Sequence, residues 1–234
     1  FYRHVGEALD LKSDLMIDNA SNITVGIENV DVFLPNKNKD ILIKDCTIDL
    51  MKYQSLLIMG ASGVGKSTLL RTLAGLWPYA KGNVYLPKEE EFLFLPQRPY
   101  LPLGSLRQAI SYPVVEEVIS EKYSDEEIKE ILIACKLENL ADKLDIVDDW
   151  SRILSLGEQQ RIAFVRILLY RPEFVFLDEA TSALDEDLEG NLYDMLKIHL
   201  PNTKIISIAH RSSLIAKHQA ILRLKEKGCW EIHE

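Results

Sequence analysis

GASGVGKST, from Gly60 to Thr68, carries the strongest chemical signal in this chain of 234 residues. It satisfies G-x-x-x-x-G-K-[ST], a spacing that cradles phosphate for physical reasons. Gly60, Gly63 and Gly65 let the backbone curl, so that N–H groups of the loop, Ala61, Ser62 and Val64 included, point inward at phosphate oxygens. Lys66 brings a positive charge to the β and γ phosphates, and the Ser67 hydroxyl can ligand Mg²⁺. A helix opening after the loop, with Thr68 in its first turn, adds its N-terminal dipole. A glycine-rich turn joining strand to helix is the alternative, but the full strand–loop–helix context favours phosphate.

Three further stretches could complete such a site. FVFLDEATSALD begins at Phe174 and ends an apolar run in two acids. Asp178 at the strand tip is the candidate Mg²⁺ carboxylate, through water. Glu179, the next residue, projects differently and could polarise an attacking water as a general base. His210 follows KIISIA and Gln97 follows FLFLP, so both stand just past strand ends, where open α/β sheets bind ligands. His210 could hydrogen-bond a γ-phosphate or water, and Gln97 could reach Mg²⁺ or water. A structural histidine and a turn glutamine are the plain alternatives. LSLGEQQR (154–161) offers a second anion-binding helix start, with the Ser155 hydroxyl, the Gly157 backbone and Glu158 opening the helix. An ordinary N-cap reads the same way.

The elements that must position these residues show in the apolar spacing. TVGIENVDVF and ILIKDCTIDL alternate and are joined by the polar PNKNKD, which predicts an antiparallel pair. SLLIM, NVYL, FLFL, FVFL and KIISIA read as strands, and AILRLK with CWEIH as a closing hairpin. KSTLLRTLAGL and DEDLEGNLYDMLKIHL have helical spacing, the latter ended by Pro201. In SDEEIKEILIACKL, Ser124 fits the N-cap and Glu127 completes a capping box. Strands alternating with helices predict an α/β fold around a mostly parallel sheet. The helical stretch from about 98 to 170, broken at Pro99, Pro102 and Pro113, looks inserted on that sheet. Residues 1–22 read as a linker or arm.

Composition sets the outer limits. Apolar residues make up 47% of the chain, as in a folded globular domain. A net charge of −9 argues against a nucleic-acid backbone as partner, though not against a local nucleotide site. Three separated cysteines without a CxxC pair read as reduced thiols, not a metal site. No apolar run approaches the roughly 18 residues of a membrane span. The chain opens at Phe1 where a complete protein would show methionine, so a piece of a longer protein and a processed start are both open readings.

Taken together, these motifs resemble the nucleotide-binding domain of ABC transporters over about residues 23–234. GASGVGKST looks like Walker A, LPQRPY the Q-loop, LSLGEQQR the signature, FVFLDEATSALD Walker B with the D-loop, and SIAHR the switch histidine. GLWPYAKGNVYLP, FLPQRPYLPLGSLRQAISYP and DWSRILSLGEQQR further resemble subfamily D, which includes peroxisomal fatty-acyl transporters, and its bacterial half-transporter relatives. LSLGEQQR in place of LSGGQ suggests the bacterial side. The resemblance implies a P-loop NTPase with a RecA-like core, an N-terminal antiparallel β-subdomain and an inserted α-helical subdomain. It implies ATP and Mg²⁺ as ligands, with Gly60 to Ser67 on the phosphates. Ser67, Gln97 and Asp178 would surround Mg²⁺, Glu179 would be the catalytic base, and His210 the γ-phosphate sensor. Asp185 would communicate between paired sites, and Ser155, Gly157 and Glu158 would face the nucleotide of a second copy arranged head to tail. It also implies a transmembrane domain reached through residues 1–22, the cytoplasmic face of a bacterial inner membrane (or a peroxisomal one), and a lipid, fatty-acyl or peptide-like cargo. One departure is Leu34, where many members stack adenine on an aromatic ring; another is Leu156, where the common form has glycine. Soluble ABC-type ATPases of ribosomes or DNA, and P-loop kinases or GTPases, are the rival classes. The basic regions of the first are missing, and the only NKxD-like text, NKNKD, lies upstream of the loop.

Overall fold

The computed structural model describes residues 15–18, 25–35, 40–88 and 91–234. In chain order the elements are β1 (Leu15–Asp18), β2 (Gly26–Phe33), β3 (Ile41–Asp49), β4 (Ser55–Met59), α1 (Lys66–Leu73), β5 (Ala80–Tyr85) and β6 (Phe92–Leu95). Then follow β7 (Gly104–Ser105), α2 (Leu106–Ser111), α3 (Glu116–Lys122), α4 (Asp125–Ala134), β8 (Val147–Asp148), α5 (Trp150–Ile153) and α6 (Leu156–Tyr170). β9 (Phe174–Asp178), α7 (Glu186–His199), β10 (Lys204–Ile208), β11 (Ala220–Leu224) and β12 (Trp230–His233) close the chain.

The main sheet runs β12-β11-β4-β10-β9-β6, and every neighbouring pair is parallel except β11 with β12. β4 and β9 are apolar on both faces because both faces are covered. Alternation then sorts each strand into two cores. Leu56, Ile58, Phe174 and Phe176 meet Leu69, Leu70 and Leu73 of α1 and the inner face of a second sheet. Leu57, Val175 and Leu177 meet Phe164, Ile167, Tyr193 and the helical layer. α6 is buried nearly all round, so its apolar periodicity is blurred.

The second sheet, β1-β5-β2-β3, contains the expected β2–β3 antiparallel pair. It also contains a strand that the sequence pattern does not mark. Leu15–Asp18, inside the stretch read as a linker arm, form an edge strand parallel to β5, with Leu15 opposite Gly82 and Asp18 opposite Tyr85. Leu15 packs half-buried against the core while Met16 and Ile17 are exposed, so no alternating pattern announces β1. The other residues of 1–24 lie outside the described segments. So does the PNKNKD turn beyond Pro35, apart from Asp40.

Five helices, α2 to α6, lie between β6 and β9. The Ser124 cap is formed: its hydroxyl accepts from Glu127 N–H, and its own N–H and hydroxyl donate to the Glu127 carboxylate. Those bonds hold the Glu127 carboxyl below its ordinary pKa. A short β7–β8 ribbon inside this block escaped the sequence reading, since two residues per strand carry no period.

Candidate functional site

Register brings the site together. Ile58, Ile208 and Asp178 stand abreast across β4, β10 and β9, and one residue earlier Leu177 pairs with Ser207 of β10 and Leu95 of β6. Gly60, Glu179, His210 and Gln97 each lie one or two residues past these strand ends, at one carboxyl edge of the sheet.

The loop from Gly60 to Gly65 joins β4 to α1. Gly60 (φ 154°) passes so close to β11 that a Cβ would lie 2.6 Å from the Leu224 carbonyl oxygen. Gly65 takes the N-cap of α1 at φ 106°, a left-handed conformation that glycine adopts without strain. Ala61, Ser62 and Gly63 are exposed at the loop tip, with Val64 half-buried behind them. Lys66 is buried, and two of its three ammonium N–H groups donate to the Gly60 (3.0 Å) and Ala61 (2.9 Å) carbonyls. Burial lowers its pKa, while the Glu179 and Asp178 carboxylates pull the other way. Thr68 lies in the first turn, where its carbonyl accepts from the Thr72 hydroxyl.

Asp178, buried at the tip of β9, accepts from the Ser67 hydroxyl at 2.6 Å and from Arg71 at 3.2 Å. Sequence spacing did not disclose Arg71; it lies one helical turn beyond Ser67 on the same face of α1.

Glu179 has φ 52°, which turns its side chain off the strand line. One carboxylate oxygen lies 2.9 Å from His210 Nε2, and the other accepts from Gln97 Nε2 at 3.1 Å. Two residues 31 and 82 positions from Glu179 in sequence thus share one cluster with it. Gln97 Nε2 also reaches the Ser182 hydroxyl at 3.4 Å.

The LSLGEQQR segment forms the start of α6; of its residues Gln160 reaches that cluster, donating to the Gln97 carbonyl and the Ser182 hydroxyl, while its Ser155–Glu158 end makes its hydrogen bonds elsewhere. Ser155 is its N-cap in a full capping box with Glu158. The Ser155 hydroxyl donates to the Glu158 carboxylate (2.7 Å), so a carboxylate of this chain already occupies the helix N-terminus. Burial pushes the Glu158 pKa up, but the Ser155 bonds, Asn139 and Arg161 outweigh it and leave it lowered. Gly157 packs on the turn after β9: a Cβ there would meet the Ala183 carbonyl oxygen at 3.4 Å. Leu156 is exposed, so its side chain points away from the core. Asp185 caps α7 by accepting from Leu188 N–H. Leu34 is partly exposed beside β2.

The donors around Ser67 suit a hard divalent ion: a hydroxyl, one carboxylate and, with Gln97, an amide oxygen, to be completed by phosphate oxygens and water. The curled loop and its lysine suit a triphosphate.

A sequence profile described as ABC transporter matches residues 43–182, from β3 to just past Glu179. That match covers the phosphate loop, Gln97, the LSLGEQQR segment and the Asp178–Glu179 pair. The chain belongs to the ABC transporter family. Members of this family are P-loop NTPases that bind ATP and are generally ATPases. An uncharacterized ABC transporter ATP-binding protein of Haemophilus influenzae is 49% identical over 191 residues, 82% of this chain and 31% of that protein. A second uncharacterized ABC transporter ATP-binding protein, from Synechocystis, is 42% identical over 89% of this chain and 31% of its own length. ATP-binding cassette sub-family D member 1 of Drosophila melanogaster is 36% identical over 93% of this ABC domain and 30% of its own length. The chain spans about a third of the length of these relatives. Among the described residues no helix is long and apolar enough to cross a membrane.

Proposed function

We propose that this chain is the ATP-hydrolysing domain of an ABC transporter, which closes as a head-to-tail pair around two ATP molecules to drive a cargo across a membrane. The observation that carries the reading is the cluster of Gln97, Glu179 and His210 at the sheet edge that also bears the Lys66 loop and Asp178.

In this reading Lys66 and the N–H groups of residues 60–67 hold the phosphates. Bound Mg²⁺ would supply charge neutralisation between phosphate oxygens, and Ser67, Asp178 and Gln97 would hold it. Glu179 takes a proton from the attacking water. To do so it must release one of its two present partners, and both Gln97 and His210 are exposed side chains free to turn toward the water and the γ-phosphate. Positioning and charge stabilisation supply most of the rate. Ser155, Gly157 and Glu158 face the nucleotide of the second copy, where the Ser155 hydroxyl must exchange Glu158 for phosphate. Asp185, at the start of α7 beside that turn, communicates between the two sites. The membrane domain belongs to the rest of the transporter, with this domain on the cytoplasmic side of a bacterial inner membrane. A lipid, fatty-acyl or peptide-like cargo fits the subfamily D likeness, since the Drosophila sub-family D member is among the proteins this chain resembles.

A phosphate-release assay with Mg-ATP and with Mg-GTP, each with and without an added acceptor, tests the reading. Release from ATP without acceptor is expected. ADP formed only with an acceptor, its phosphoryl group on the acceptor and not released as free phosphate, would place the chain among kinases, and a strong preference for GTP among GTPases.

A further inference from the structure

Two adjacent glutamines in LSLGEQQR do different work. Gln159 and Gln160 are both buried. Gln159 donates to the Ser151 and Leu154 carbonyls and so ties α5 to α6. Gln160 turns the other way, into the site. Its Nε2 donates to the Gln97 carbonyl at 2.8 Å and to the Ser182 hydroxyl at 3.1 Å, and its Oε1 accepts from Ala183 N–H at 2.9 Å. Both amide N–H groups and the carbonyl are thus engaged, by two chain segments, at Gln97 and at Ser182–Ala183, that are far apart in sequence. Gln97 and Ser182, its two acceptors, are themselves joined by the Gln97 side chain, which also holds Glu179.

We propose that Gln160 is a positioning residue, whose amide locks Gln97 and the turn after Glu179 to helix α6. Simple filling of the core would need only an apolar side chain of this size. An amide with every polar atom satisfied fixes orientation as well, because a small displacement of any segment strands a buried donor or acceptor. Gln160 sits about one and a half turns into α6 from Ser155, on a rigid helix. The geometry around Glu179 therefore depends on where α6 sits, and a partner pressing on the Ser155 end of α6 would be felt at Glu179 of the same copy. The catalytic consequence rests on the ATPase reading above, whereas the clamp itself does not.

Gln160→Met and Gln159→Met, compared in this chain, separate positioning from packing. Each removes a satisfied buried amide, so both lower Tm. Only Gln160→Met is expected to reduce kcat, by at least about tenfold, while affinity for Mg-AMP-PNP changes little because the Lys66 loop lies on other elements. A Gln160→Met/Gln97→Ala double variant is expected to be no slower than the slower single variant, since both disturb one unit. Amide exchange at Ala183 should accelerate in Gln160→Met and not in Gln159→Met, a readout that needs no turnover. Should Gln160→Met fail to fold, Gln160→Asn withdraws the same amide by one methylene and is read by the same measurements. Equal kcat losses in the Gln159 and Gln160 variants, additive losses in the double variant, or unchanged Ala183 exchange would overturn the proposal. A wild-type chain that releases no phosphate would instead refute the ATPase reading, and exchange at Ala183 would still decide the clamp.

Discussion

At the scale of residues, the sequence disclosed those groups whose chemistry is local. GASGVGKST carries its own turn, charge and hydroxyl, and the structure holds Lys66 over that loop. Gln97 and His210 needed more, because each is an isolated polar residue until β6, β9 and β10 bring it to Glu179. Arg71 on Asp178, Gln160 under Gln97, and the Arg211–Glu189 ion pair had no signal at all, since each depends on a partner 22 to 107 positions away. Lys66→Ala is expected to weaken ATP binding by about ten- to hundredfold in a titration, the usual cost of losing a charged hydrogen-bond donor. Exposed Leu156 makes a second prediction. Leu156→Gly should keep phosphate release near the wild-type rate, at a cost of about 1 kcal/mol or less in helix stability. Ser155→Arg should abolish release that depends on pairing, because it places a long cation where the capping box now stands. Loss of activity in Leu156→Gly would give the leucine a role of its own.

At the scale of elements, burial and period told strands from helices wherever a segment had one wet face. The Ser124–Glu127 capping box and the Pro201 stop of α7 were legible because they are local chemistry. β1 and the β7–β8 ribbon were not, because neither carries an alternating pattern. Where β4, β10 and β11 begin, His218 shows a cost that only packing reveals. Its Nδ1 donates to the Leu214 carbonyl, its Nε2 is buried with no partner among the described residues, and its ring packs edge-on against Tyr193. Burial lowers its pKa from 6.5 to about 4, with Lys197 adding to the effect and the Leu214 bond opposing it. The unfolded chain therefore gains a proton below about pH 6.5 that the folded chain refuses until about pH 4, so stability falls across that window. The loss by pH 4 is up to about 3 kcal/mol. Thermal melts at pH 7 and pH 4.5 should show a smaller drop in His218→Leu than in the wild type; equal drops would contradict this.

At the scale of the whole molecule, two apolar cores hold one parallel sheet so that its carboxyl edge is a rigid shelf for the site. The order of the five motifs along the chain made the family legible, while the pairing of two copies is a matter of surfaces that a single chain does not show. If two copies close around ATP, Glu179→Gln should trap that state, and sizing with Mg-ATP should give a dimer where the nucleotide-free chain gives a monomer. The central claim, that Glu179 at the meeting of Gln97 and His210 drives ATP hydrolysis, is tested most directly by phosphate release from Mg-ATP in the wild type and in Glu179→Gln. The variant is expected to bind ATP still but to turn over at least about a hundredfold more slowly, the usual loss when a general base is removed. Near-normal release in Glu179→Gln would contradict that claim.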